Sequence, residues 1–218
     1  MFSTKVLEER HSKYNGNLRV LRTWGMGTYI QSDGLTQSGG IVESIWKQTL
    51  KQILNSKLLI NNCLILGLGG GTVAKLIRKN WPTASITGVD IDPVIVELGT
   101  RYLALGNSNV KIVICDALDF VKTSAQSLVP NAYNLVVVDL YNGDQFPKKF
   151  ESKNYIHLVR TILTSNGVAV FNRLYYGNRH SYKDKKEEAR RFGEKLEKIF
   201  PNVEYFYPIS NLMFVCRN

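Results

Sequence analysis

Continuous apolar runs alternate along most of this chain with stretches in which apolar residues recur every three or four positions. The first pattern marks strands buried on both faces, and the second marks amphipathic helices. Ile41, Ile45, Trp46, Leu50, Ile53 and Leu54 predict a helix over 41–57. Cys63-Leu64-Ile65-Leu66 predicts a buried strand; a helix follows over 72–80, and Trp81-Pro82 closes it. Strands follow at 86–89, 110–114, 133–138 and 168–171, with helices over 93–103, 152–163 and 182–200. Two closing strands, near 203–207 and 212–216, read as an antiparallel pair. This alternation predicts an α/β fold, a mostly parallel sheet covered on both faces with an antiparallel C-terminal strand. Ahead of it, Tyr14-Asn15-Gly16-Asn17 and Gly25-Met26-Gly27 are turn signals that bracket strands at 18–21 and 28–32. The expected organisation is an N-terminal β-hairpin appendage, 1–40, and a main domain, 41–218.

The 218 residues suffice to bury a core without disulfides or metal. Cys63, Cys115 and Cys216 lie apart in apolar contexts and read as buried free thiols. His11, His157 and His180 lack ligand spacing, so no metal is expected. No apolar run approaches the roughly 18 residues of a membrane span. The opening ten residues are too acidic and polar for a secretory leader, which makes a cytoplasmic location the expectation. The net charge of +10, from 28 Lys and Arg against 18 Asp and Glu, is spread along the chain. Its densest stretch, Arg179 to Lys198, also holds Asp184, Glu187, Glu188, Glu194 and Glu197, as a solvated helix face does. Neither a nucleic acid nor a membrane is expected as partner. A homodimer formed through the hairpin's edge is the plain expectation.

The chemistry gathers at strand ends. Gly67-Leu68-Gly69-Gly70-Gly71-Thr72 follows the first buried strand and opens a helix, where glycines let backbone turn tightly and approach a ligand. Val89-Asp90-Ile91-Asp92 ends the next strand, and a carboxylate there can accept hydrogen bonds from ribose hydroxyls. Asp116-Ala117 and Asp139 end the next two. Ligands of open α/β sheets bind outside the carboxyl ends of the strands. No Gly-Lys-Ser/Thr follows the glycines, which excludes a P-loop. A dinucleotide-binding dehydrogenase is the rival. Gly71 stands where its third glycine is not expected, and Asp116 suits an adenine amine better than a nicotinamide, so a nucleoside without pyrophosphate is favoured.

These motifs resemble, in order, those of the spermidine synthase (polyamine aminopropyltransferase) family. Asp33-Gly34-Leu35-Thr36-Gln37 and Glu43 resemble its entry motif; the 66–72 loop, 89–93, Asp116-Ala117 and Val137-Val138-Asp139 resemble its later ones. The resemblance implies a Rossmann-like, class I methyltransferase-type fold. It also implies a transferase whose co-substrate is decarboxylated S-adenosylmethionine or S-adenosylmethionine. In that reading Gly67, Gly69 and Gly71 form the nucleoside loop and Asp90 with Ile91 holds the ribose. Asp116 and Ala117 hold adenine, and Asp139 frees the attacking amine of its proton. Gln37, Glu43, Tyr141, Asp144 and Tyr175 would shape the site of an acceptor that the sequence does not name.

The departures fall on the amine side. The family's loop aspartate, which grips the aminopropyl ammonium, is Gly70 here. Its second catalytic-stretch aspartate is replaced in Asp139-Leu140-Tyr141-Asn142-Gly143, and Lys47 follows Trp46 where the family has a Tyr and then a His or Gln. Losing two carboxylates and gaining a lysine weakens any pocket for a polycation. Methyl transfer and a non-catalytic nucleoside-binding module are therefore the alternatives.

Overall fold

The computed structural model describes residues 4–56, 58–127, 132–175 and 182–218. Four strands come first: β1 (Thr4–Ser12), β2 (Gly16–Thr23), β3 (Gly27–Ser32) and β4 (Leu35–Gly39). They form one antiparallel sheet in sequence order. The expected hairpin is its β2–β3 centre, and strands on both sides extend it. β1 escapes a reading by hydrophobicity because its Lys5, Glu8, Glu9 and Arg10 are charged. Two of those charges meet α3 residues: Glu8 accepts from Arg101 at 2.7 Å and Tyr102 at 2.8 Å, and Arg10 reaches Glu97 at 3.4 Å.

The main body runs α1 (Gly40–Asn55), β5 (Asn62–Leu66), α2 (Thr72–Asn80), β6 (Ser85–Asp90), α3 (Pro93–Tyr102), β7 (Val110–Ile114), α4 (Ala117–Ala125), β8 (Tyr133–Val138), α5 (Lys153–Thr161), β9 (Leu163–Leu174), α6 (Tyr182–Glu197), β10 (Asn202–Phe206) and β11 (Asn211–Arg217). Its seven strands lie in the order β10-β11-β9-β8-β5-β6-β7, parallel from β9 to β7 and antiparallel at β10 and β11. After β5 the chain moves outward through β6 and β7, then returns to lay β8 on the other side of β5. The order therefore reverses between β5 and β8, and the strands fan apart there into a crevice.

Alternate residues of the central strands feed two cores. Cys63, Ile65, Val137 and Val170 pack with α1, α2 and α3. Leu64, Leu66, Val136, Val138 and Phe171 pack with α4, α5 and α6. The N-terminal sheet joins the first core through Leu18, Val20 and Ile30, so it is seated on the main body. A buried polar link fixes the seating. Asp92 is wholly buried, caps α3 through the Val94 amide at 2.9 Å, and accepts from Ser12 Oγ at 2.5 Å and Asn15 Nδ2 at 2.6 Å. Removing either donor leaves part of a buried carboxylate unsatisfied, which costs about 1–3 kcal/mol. Among the described residues no helix is long and apolar enough to cross a membrane.

Candidate functional site

The C-terminal ends of the parallel strands open into a cleft of about 460 Å³ that the N-terminal sheet and α1 roof over. Its size suits a small organic ligand. Gly67 and Gly69 after β5, Asp90 and Ile91 after β6, and Asp116 and Ala117 after β7 all line it. Asp139 and Tyr141 after β8 and Gln37 near the end of β4 complete the expected set that the fold brings together.

The loop after β5 is glycine for distinct reasons at distinct positions. Gly67 has φ of +90°, and a Cβ there would run into the Asp139 carbonyl. A side chain at Gly67 would thus push β8's end away from β5. Gly70 has ordinary φ, but its Cβ would lie 2.8–2.9 Å from Leu103, Ile30 and Ser38 side chains. That direction points into packing, away from the ligand space, and Gly70 does not line the cleft. Gly71 also stands behind the wall, capping α2 in the left-handed conformation with its Cα facing Leu105.

The loop's amides already have acceptors. Gly69 N–H donates to Asp90 Oδ2 at 2.7 Å, Gly70 N–H to Ser38 Oγ at 2.7 Å, and Gly71 N–H to the Leu68 carbonyl at 3.0 Å. A dinucleotide's pyrophosphate needs such amides free at a helix N-terminus. Here it would meet none of these three and would face the Asp90 carboxylate. The loop's hydrogen bonding thus opposes the dehydrogenase alternative.

Asp90 accepts from Gly69 with one oxygen and from Asp92 N–H at 2.9 Å with the other. Burial raises its pKa from 3.8 to about 6, against the lowering effect of those amide bonds. Asp116 behaves oppositely. Burial raises its pKa, but Lys149 and the amide of Leu118 (2.8 Å) outweigh it, and the net shift is downward. Lys149 bonds the carboxylate from the cleft side and lies 4.8 Å from the Phe150 ring centre.

Across the crevice sits a polar chain that sequence reasoning missed. Asp139 Oδ2 accepts from the indole N–H of Trp46 at 2.8 Å, and Oδ1 from Asn172 Nδ2 at 2.7 Å. Asn172 Oδ1 in turn accepts from Asn211 Nδ2 at 2.8 Å, and the Asn211 side chain meets Ser210 Oγ at 3.0 Å. All five residues line the cleft. Asp139 keeps an opening to the cleft, while its carboxyl group is set deep. Burial pushes its pKa up, and the bonds from Asn172 and Trp46 pull it partly back. Among the described residues its donors are these two neutral groups, which leave the carboxylate electrically uncompensated. Tyr141 is fixed nearby: its hydroxyl accepts from Leu174 N–H at 2.6 Å and contacts the Asn172 carbonyl at 3.3 Å. Burial raises its pKa strongly.

Three expected acceptor-site residues stand outside the cleft wall. Glu43 faces outward from α1 toward Lys75 at 3.4 Å. Asp144 turns to Lys185 Nζ at 2.5 Å and Gln145 Nε2 at 3.0 Å. Tyr175 stacks edge-on against Tyr207 at 5.3 Å. Lys47, one residue past Trp46 on α1, does not line the cleft either, because a helix turns successive residues to different faces. His180 lies outside the described residues.

A parallel sheet with a reversed strand order, an antiparallel C-terminal strand and cleft-lining acids at successive strand ends defines a class I methyltransferase-type domain. A spermidine synthase solved with the transition-state analogue AdoDATO superposes with a TM-score of 0.77 over 98% of this chain and 73% of that one, at 14% identity. A human methyltransferase-like protein 13 solved with SAH gives 0.60 over 81% of this chain and 79% of that one, at 22% identity. Residues 50–210 match the spermine/spermidine synthase domain, and the chain belongs to that family. A spermine synthase of Saccharomyces cerevisiae is 24% identical over 93% of this chain and 68% of its own length. A polyamine aminopropyltransferase of Sulfurisphaera tokodaii is 33% identical over 63% of this chain and 46% of its own. An eEF1A lysine and N-terminal methyltransferase of Bos taurus is 29% identical over 56% of this chain, which spans 19% of that protein.

Proposed function

We propose that this chain is a transferase that binds an S-adenosylmethionine-type sulfonium nucleoside along β5, β6 and β7 and moves an aminopropyl group to an amine held at β8 and β9. The observation that carries the reading is the uncompensated carboxylate of Asp139, deep-set beside the nucleoside strip with only neutral donors. Such a carboxylate attracts an ammonium and can take its proton, and its raised pKa brings it closer to the work of a base. Family membership supports the aminopropyl group.

Asp90 accepts the ribose hydroxyls with the lone pairs that Gly69 and Asp92 leave unused, and Asp116 accepts from the adenine amine. Ile91 and Ala117 supply apolar contact. The acceptor enters as an ammonium and gives one proton to Asp139. The freed nitrogen lone pair attacks the carbon next to the sulfonium, and the C–S bond's electron pair leaves on sulfur as a neutral thioether. The product stays a charged secondary ammonium, and Asp139 returns its proton to solvent. Trp46 and Asn172 hold the carboxylate through both protonation states, which supplies alignment before chemistry begins.

One observation favours a second reading, methyl transfer from S-adenosylmethionine. A side chain at Gly70 would have to displace Leu103, Ile30 and Ser38, which disfavours a carboxylate there. The relationship to an eEF1A lysine and N-terminal methyltransferase is in keeping with it. Calorimetric titration with decarboxylated S-adenosylmethionine, S-adenosylmethionine and methylthioadenosine, followed by turnover with amines, separates the readings. Binding of none of the three overturns both, and binding without turnover on any amine leaves a nucleoside-binding module.

A further inference from the structure

Among the described residues, the acceptor end of the cleft contains one charge. Among the described residues that line it, Asp139 is the sole carboxylate beyond the nucleoside strip of Asp90 and Asp116. The rest of its polar wall is neutral: Gln37, Asn142, Asn172, Ser210 and Asn211. Nearby acids are committed elsewhere. Asp144 pairs with Lys185, and Glu151 pairs with the buried Arg173 at 2.6 Å. Residues 176–181, which follow β9, contain neither Asp nor Glu. Of the two lining lysines, Lys149 is bound to Asp116, and Lys13 sits on the turn whose Asn15 is tied to Asp92, over the β6 end.

We propose that the acceptor is a small primary amine carrying one positive charge and a neutral, hydrogen-bonding remainder, with Asn142 setting the preference against diamines. This deepens the functional reading above and rests on it. The first ammonium of any amine finds Asp139. A second one, several bonds away, would be desolvated against amides and hydroxyls that offer no opposite charge, and such a charge is strongly disfavoured. A hydroxyl or amide in the same place finds partners of both kinds. Asn142 lies three residues beyond Asp139, on the loop after β8, and lines the cleft. Its backbone is pinned by reciprocal bonds with Gln145 at 2.9 and 3.0 Å, so its position survives a change of side chain.

The test is an equilibrium one and does not need turnover. The full chain is saturated with methylthioadenosine, and putrescine, butylamine and an aminobutanol of the same chain length are titrated calorimetrically into that complex. The aminobutanol is expected to bind at least about tenfold more tightly than putrescine, as one unpaired charge implies. Asn142→Asp supplies the missing carboxylate and is expected to invert that order, with bound methylthioadenosine reporting that the variant is folded. Equal or tighter putrescine binding to the wild type overturns the proposal. So does an unchanged order in Asn142→Asp, or no measurable binding of any amine. Failure of methylthioadenosine itself to bind identifies the functional reading, rather than the charge argument, as the error.

Discussion

Asp90→Asn should make the unliganded protein lose less stability than the wild type between acid and neutral pH while it weakens nucleoside binding. The Asp90 carboxyl titrates near 6 in the folded chain against an ordinary 3.8, because burial disfavours its charge more than the Asp92 and Gly69 amides favour it. A carboxyl whose folded pKa is raised helps the native state only while it is protonated. That contribution is complete below 3.8 and is lost as pH climbs through about 6. Two units at 1.36 kcal/mol each make this loss about 3 kcal/mol at most, and water in the open cleft reduces it to about 1–3 kcal/mol. The amide never ionises, so the variant escapes the loss. It does place an NH₂ against one backbone N–H, but that mismatch is independent of pH: it offsets the variant's curve by a constant and leaves the change with pH untouched. Urea unfolding of both proteins between about pH 4 and pH 7.5 should show the difference swinging toward the variant by that amount. The same substitution removes the charged acceptor proposed for the ribose hydroxyls, worth about 1.5–3 kcal/mol, so methylthioadenosine affinity should fall between about tenfold and a hundredfold. Parallel stability curves, or unchanged affinity, would refute the assignment of Asp90 as a buried ionised group kept for the ligand.

Three further substitutions probe the rest of the site. Asn172→Leu removes a donor from Asp139 and strands Asn211; kcat should drop about ten- to a hundredfold with methylthioadenosine affinity nearly constant, and an equal loss of affinity would contradict a positioning role. Trp46→Phe removes the other donor to the charged carboxylate, so the acidic limb of the kcat–pH profile should move upward, because a bond that favoured ionisation is gone; an unmoved limb would show that Asp139 is not the group that titrates in catalysis. Gly70→Asp should lower stability by about 1–3 kcal/mol through overpacking against Leu103, Ile30 and Ser38, without tightening decarboxylated S-adenosylmethionine, and a gain in that affinity would show that the loop can rearrange.

Strands β5, β8 and β9 were readable because burial on both faces leaves unbroken apolar runs, and the strand-end acids were readable because each ends a strand's apolar pattern. The same rule, applied to polar residues in general, would have found Asn172, which interrupts Val168-Ala169-Val170-Phe171 from its C-terminal side. It went unread because an amide suggests no proton chemistry by itself; its importance comes from the carboxylate on the neighbouring strand. Trp46 was legible as a core residue of α1, and it is wholly buried, yet the direction of its indole N–H depends on how α1 sits over β8. Glu43 and Asp144 illustrate the converse. Each has the right chemistry at the right place in the chain, and each is turned outward by a nearby lysine. β1 was hidden because its Glu8 and Arg10 are satisfied by α3, a partnership no local pattern reveals.

The two ends of the cleft handle charge by opposite means, and this division follows from the strand order. β5, β6 and β7 run outward on one side of the reversal, so their acids meet in a strip where Asp116 already holds a cation and Asp90 is steadied by backbone amides. A nucleoside, which brings hydroxyls and an amine but no anion, fits that strip. β8, β9 and β11 lie on the other side, and there one carboxylate is held by an indole and a chain of amides, with no cation bonded to it among the described residues. Neutral donors steady Asp139 without discharging it, so the positive charge it calls for must arrive with the ligands. A sulfonium donor approaching from one side and an ammonium acceptor from the other would both be drawn to the same point, where β5 and β8 part.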